Sequence, residues 1–170
     1  MGDPRRLHKK YSKPGHPWQK ERLQEELPYM GKYGLRNKRE LWKHKTQISR
    51  FRQLARKLLG FKTEKTVEAE TILIKKLSSL GLISETASLD DILSLTVEDI
   101  LNRRLQTIVF KKGLANTIYQ SRQLITHGHI AVNGKVLKNP GYLVPVSEEA
   151  AVDYAFNSPV KNKINVKASA

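Results

Sequence analysis

Residues 103–144, RRLQTIVFKKGLANTIYQSRQLITHGHIAVNGKVLKNPGYLV, constrain the fold more than any other stretch of the chain. Their apolar period changes from 3.6 to 2 within one short segment, so helix must give way to strand there. Thr96 begins a helix expected to run through Ile100, Leu101 and Leu105 toward Val109, and Lys111-Lys112-Gly113 then turns the chain. A second helix is expected over 114–127, burying Leu114, Ile118, Ser121 and Ile125 and ending at Gly128. HIAV and KVLK flank Asn133-Gly134, a dipeptide that tolerates positive φ at both positions and suits a type I′ turn. Asn139-Pro140-Gly141 makes the next turn, and residues 142–146 and 151–155 are expected as further strands. The result is an α+β module: a small, strongly bent antiparallel sheet on two helices.

Charge decides what such a module can meet. The chain carries 31 Lys and Arg against 16 Asp and Glu, a net charge of +15. It repels itself unless a polyanion lies against it, and nucleic acid is the first candidate. The charge is unevenly spread: residues 1–65 are net +13, residues 66–102 net −5 and residues 103–170 net +7. A basic arm, an acidic helical connector and a basic module therefore follow one another. Apolar residues make up 39% of the chain, so the core is thin.

Residues 1–20 hold Pro4, Pro14 and Pro17 among cations, and free in solution this arm is expected to be poorly ordered. Tyr11 and Trp18 interleave with Arg5, Arg6, Lys9, Lys10 and Lys13, a pattern suited to base stacking with phosphate contact. Equally, Trp18 could pack on the protein body. A short helix is expected over 20–30, ended by Pro28. Gly31 and Gly34 mark a turn, and a long helix follows over about 37–59, with Leu41, Ile48, Phe51, Ala55 and Leu58 on one face. Much of the rest of that helix is cationic: Lys43, Lys45, Arg50, Arg52, Arg56 and Lys57. Like charges such as Arg52 and Arg56 at i,i+4 oppose helix formation, which points to a phosphate partner. Another helix, 67–80, is expected to bury Ala69, Leu73, Leu77 and Leu80 before Gly81. Ser88 with Asp91 and Thr96 with Asp99 resemble capping boxes, so the acidic residues of 85–99 read as structural.

In the module, Arg103, Arg104, Lys111, Lys112, Arg122, His127, His129, Lys135 and Lys138 are expected to form one positive surface. Asn116, Gln120, Gln123 and Asn133 could add directional hydrogen bonds, so that phosphates position and shape discriminates.

These residues carry a specific likeness. RLQ, VFKKGLA and SRQLITHGHIAVNGKVLKNPGYLV resemble the RNA-binding domain of the S-four family of small ribosomal subunit proteins. GKYGLRNKRELW resembles the archaeal and eukaryotic branch of that family, and GDPRRLHKKYSKPGHPW looks archaeal. The resemblance implies a basic arm (1–20), a helical domain (21–100), an RNA-binding domain of alpha-L type (103–165) and a tail (166–170). It implies a non-enzymatic, cytoplasmic constituent of the small subunit that binds its rRNA early in assembly and influences accuracy. Its neighbour would be the S-five protein, and it would be a monomer within the ribosome. Carried over by position, the RNA-facing residues are Arg104, Lys111, Lys112, Asn116, Thr117, Gln120, Arg122, Gln123, His127, Asn133 and Lys135. The basic arm and the cationic helix add Arg5, Arg6, Lys9, Lys10, Arg36, Lys38, Arg39, Lys43, Lys45, Arg50, Arg52 and Arg56 as further RNA-facing candidates, on their charge. Gln106 and Ile118 depart from the family pattern, which sets contacts at those positions aside.

Other classes find little support. There is no Cys, which removes disulfides, thiolate metal sites and the zinc motif of some bacterial relatives. His127 and His129 lack a nearby acid, so no metal or cofactor is expected. No apolar run approaches the roughly 18 residues of a membrane span. No nucleotide-binding loop or catalytic constellation occurs. An RNA-modifying or ribosome-rescue protein using the same module is the alternative.

Overall fold

The computed structural model describes residues 9–60 and 64–160. In chain order they form α1 (Lys20–Lys32), α2 (Lys38–Gly60), α3 (Glu64–Ser79), α4 (Leu89–Ser94), α5 (Val97–Asn102), α6 (Leu105–Lys111), α7 (Ile118–Thr126), β1 (Ile130–Val132), β2 (Lys135–Val136), α8 (Val146–Glu149) and β3 (Val152–Tyr154). The class is α+β, with a three-stranded antiparallel sheet in the order β2-β1-β3.

The hairpin forms where its turn chemistry lies. Ala131 pairs with Val136 and Val132 with Lys135. Asn133 and Gly134 take φ of 50° and 77°, the left-handed values that a type I′ turn requires. β3 adds to the other edge of β1, pairing Ile130 with Tyr154 and Val132 with Val152.

Residues 142–146 form no strand; their one ladder contact is a bridge between Leu143 and Arg104. The helix expected to run from Thr96 to Val109 is broken at the same place. Both departures have one cause. Arg104 is extended, with φ −70° and ψ 140°. The Leu105 N–H donates to the Tyr142 carbonyl at 2.8 Å, and the Val144 N–H donates to the Arg103 carbonyl at 3.0 Å. The backbone groups at the end of α5 are satisfied by a distant segment, so the helix need not continue.

α7 begins four residues later than expected. Thr117 is its N-cap and accepts from the Gln120 N–H at 3.1 Å. α1 runs past Pro28 instead of stopping there. The missing proline N–H costs one hydrogen bond, and the extra turn carries Tyr29 and Met30 onto the cluster of Tyr33, Leu35, Leu41 and Leu101. Ala69, expected to be buried, is exposed; among its described side chains α3 buries only Leu73 and Leu77. Both capping boxes are present: Asp91 accepts from the Ser88 N–H at 2.8 Å, and Asp99 from the Thr96 N–H at 2.7 Å.

Apolar side chains gather in three clusters. One fills the module around Leu105, Val109, Ile125, Ile130, Val144 and Val152. The second joins α2, α3, α4 and α5 through Ile48, Ala55, Leu77, Ile92 and Ile100. The third, around Tyr33 and Leu41, lies where α1 and α2 meet Leu101 of α5. Leu143, from the module, packs against the second cluster.

The arm does not hang free over its described part. The Ser12 N–H donates to Thr46 Oγ1 at 3.0 Å, Tyr11 lies beside Trp42, and Arg22 donates to the carbonyls of His16 and Pro17 at 2.8 Å each. Trp18 remains 87% exposed and does not pack on the body.

Candidate nucleic-acid interface

Two acids organise the cations around them. The first is Glu40, in the first turn of α2. Its Oε2 accepts from Arg104 at 2.9 Å and its Oε1 from Arg122 at 2.7 Å. Arg122 also reaches Gln106 Oε1 at 3.5 Å. The Gln106 amide donates to the carbonyls of Gly34 and Ile118 at 3.1 and 3.0 Å. A charged and polar knot thus fastens α2 to α6 and α7. Burial works against the Glu40 carboxylate, but the hydrogen bond from Arg122 and the charges of Arg104 and Arg122 hold its pKa below the usual value. Gly34 sits at the centre of the knot with φ 56°; a Cβ there would come within 2.8 Å of Gln106 Nε2.

This knot corrects one expectation directly. Arg104 is 1% exposed and cannot reach a phosphate; it is structural. Arg122 is half-buried and shares the same carboxylate. His44, one turn along α2 from Glu40, is 4% exposed. Burial, with the positive charges of Arg104 and Lys43, pushes its pKa down to about 4, so it is neutral at pH 7.

The second acid is Glu26 of α1, also 1% exposed. It stands 3.2 Å from Lys45, 3.4 Å from Lys38 and 3.6 Å from Arg22, and accepts from the Trp42 indole N–H at 3.1 Å. Burial opposes its charge, yet the hydrogen bonds of Lys45 and Trp42 keep its pKa low. Lys38 and Lys45 are therefore partly neutralised. Arg52 donates to the Leu95 carbonyl at 2.6 Å and ties α2 to the end of α4.

The other cations expected to face RNA in the described part of this half are exposed: Lys9, Lys10, Arg36, Arg39, Lys43, Arg50 and Arg56. Arg56 Nε donates to the Arg52 carbonyl at 3.3 Å and keeps its outer nitrogens free of described partners. Arg5, Arg6 and the 166–170 tail lie outside the described residues.

In the module the expected single surface is divided. Arg103 pairs with Glu149 at 2.7 Å, and Lys112 donates to the carbonyls of Ala150 and Val152 at 3.1 Å each. Thr117 and Gln120 serve the start of α7, with Gln120 Oε1 accepting from the Asn116 N–H at 2.8 Å. His129 is half-buried beside Ser158, 3.2 Å from its hydroxyl. Lys111, Asn116, Gln123, His127, Asn133, Lys135 and Lys138 are exposed. Gln123 of α7 and the C-cap residue His127 are spaced i,i+4, and Lys138 reaches over Gly128 just beyond them. These form a polar, cationic edge along α7 and the hairpin.

Glu26, Glu40 and Gln106 were not among the expected site residues. The signal was present for the acids: each is a carboxylate inside or beside a cationic run. Tyr119, 61% exposed and four residues before Gln123 on the same edge of α7, was also missed. Among the described residues no helix is long and apolar enough to cross a membrane, and no group of three metal-ligating side chains occurs.

Comparison with known proteins matches this arrangement to a family. The model described as "S4 domain" covers residues 103–149, the module itself. The small ribosomal subunit protein uS4 of Ignicoccus hospitalis is 56% identical over 163 residues, spanning 96% of this chain and 98% of its own length. The uS4 of Saccharolobus solfataricus is 56% identical over 164 residues, 96% of this chain and 91% of its own. That of Saccharolobus islandicus is 55% identical over 169 residues, 99% of this chain and 93% of its own. The likeness takes in the arm, the helices and the module together, and the chain belongs to the uS4 family of small ribosomal subunit proteins.

Proposed function

We propose that the chain is a structural component of the small ribosomal subunit that holds its rRNA on two cationic faces of one body. One face is the exposed side of α2 with the arm: Lys9, Lys10, Arg36, Arg39, Lys43, Arg50 and Arg56. The other is the α7–hairpin edge: Lys111, Gln123, His127, Asn133, Lys135 and Lys138, with Arg122 at its inner margin. The observation that carries this reading is the division of labour among cations. Those that meet acids, or carbonyls of other elements, build the fold, whereas an exposed set on α2 is left without an ion pair among the described residues. Such a set has no structural reason to be of one sign and suits phosphate.

Two faces on one rigid body can hold two RNA segments in fixed relation. That supports an early role in assembly of the subunit, and with it an influence on accuracy. The assignment to the cytoplasmic ribosome, and to a neighbour of the S-five family, rests on family membership. The likeness runs over 96% of the chain, so the upstream helices belong to the same family as the module, which sets aside a module appended to an RNA-modifying enzyme.

Filter binding of the full chain to small-subunit rRNA across a salt series tests the reading. The double variant Lys43→Ala, Arg50→Ala should keep its circular dichroism spectrum. Its log–log salt slope should fall by roughly 0.7–0.9 for each phosphate that is no longer neutralised. An unchanged slope would remove α2 from the interface.

A further inference from the structure

The arm and α2 enclose a cleft whose chemistry goes beyond phosphate attraction. Residues 11–17 cross the first turns of α2 and leave about 610 Å³ beside Trp42, within the roughly 300–1,000 Å³ of small-ligand sites. One wall is aromatic. The half-buried rings of Tyr11 and Trp42 stand with centroids 6.3 Å apart, inclined at 34°. The lining is also cationic: Lys38 is paired with Glu26, whereas Lys13 and Arg39 are exposed and in no ion pair among the described residues. Asn37 adds a directional group. Its Oδ1 accepts from the Glu40 N–H at 3.2 Å, which turns its amide N–H groups outward as donors.

The cleft is built before anything enters it. The Trp42 indole N–H is held by buried Glu26 at 3.1 Å. Arg22 stands 3.6 Å from the same carboxylate and fixes the carbonyls of His16 and Pro17, while Ser12 is tied to Thr46. A buried charge therefore sets both the ring and the chain that faces it, which lowers the ordering cost of binding.

A fixed aromatic face beside unpaired cations and an amide donor matches one ligand chemistry, a planar base that carries a phosphate. We propose that this cleft receives a single unpaired nucleotide, its base against Trp42 and its phosphate between Lys13 and Arg39. The proposal rests on the RNA-binding reading above and adds to it a site for one base drawn out of the stack. A nucleotide of an RNA chain and a free mononucleotide share this chemistry. A proline-rich peptide would use the rings and leave the cations idle.

The chain has two tryptophans, so Trp18→Phe leaves Trp42 as the sole indole. In that background a labelled single-stranded RNA oligonucleotide should quench Trp42 emission in step with its anisotropy. An abasic oligonucleotide of equal length should bind about tenfold more weakly, the worth of one stacked base, and leave the emission unchanged. Arg39→Ala and Lys13→Ala should weaken the quenching with the circular dichroism intact. Quenching by AMP at the same concentration as the oligonucleotide would assign the site to free nucleotides, and its absence to an RNA chain. Saturated anisotropy without quenching, equal quenching by the abasic strand, or stronger quenching by a proline-rich peptide would each overturn the cleft while leaving RNA binding in place. No anisotropy change at all would overturn the RNA reading itself.

Discussion

Replacing Glu40 by glutamine takes the negative charge from between two arginines and leaves Arg104 charged where its side chain is 1% exposed. Removing one partner of a buried pair costs about 3–5 kcal/mol, and a urea titration of Glu40→Gln should show a loss of that order. His44 gives a separate, pH-dependent signature. Its pKa is about 4 in the fold, against 6.5 for the free side chain. The unfolded chain therefore takes up the proton first, and the fold loses stability as pH falls from 6.5 toward 4, by about 3 kcal/mol in all. His44→Gln should flatten the urea midpoint across that window. Glu40 acts lower: its depressed pKa stabilises the fold above the unfolded value of 4.5, and that contribution is lost only as pH falls through its folded pKa. The burial of His44 was not expected, although its spacing from Leu41 and Ile48 puts it on the apolar face of α2. The role of Arg104 could not be read from periodicity, because its partner is 64 residues upstream and an arginine beside Arg103 looks the same in sequence whether buried or free.

Elements were legible where their determinants were local. The two capping boxes, the Asn133-Gly134 hairpin and α2 all follow from residues within a few positions of one another. The late start of α7 was missed although its Thr117 cap is local; the other elements failed where a distant segment supplied the hydrogen bonds or the burial. The break between α5 and α6 needs residues 140–144, and the passage of α1 through Pro28 needs Leu41 and Leu101. Gly34 belongs to this scale, since its backbone turns the chain from α1 into α2. Gly34→Ala would place a methyl group 2.8 Å from Gln106 Nε2 and 3.0 Å from Ile118 Cγ2, in a left-handed conformation. Strain and overpacking together should cost about 2 kcal/mol or more, read as a lower urea midpoint. A wild-type midpoint would show that α6 and α7 can move away from this turn.

For the whole molecule, the division into arm, helical part and module describes the charge better than the packing. Leu143 in the helical core, the Glu40 knot and the Gln106 bridge all cross from one part to the other. Helical part and module should unfold in one transition, with the far-ultraviolet signal and Trp42 fluorescence of a Trp18→Phe chain coinciding in urea. Two separated midpoints would show that the knot is not a cooperative contact. The candidate interface was legible as a class, since the net charge of +15 names a polyanion. Its membership was less so, because cations that build the fold and cations that face solvent have the same side chains.

The knot also imposes an order in time. Glu40 precedes Arg104 by 64 residues and Arg122 by 82. At about 5–20 residues per second, the growing chain presents that carboxylate several seconds before either arginine exists. During that interval α1 and α2 can form, with Glu26 already gathering Arg22, Lys38 and Lys45, the farthest of them 19 residues away. The cationic face of α2 is thus complete while the contact that locks it to the module is still unmade. That junction can close only once α7 has been made, so the half that is made first is open to RNA before the orientation of the second half is set.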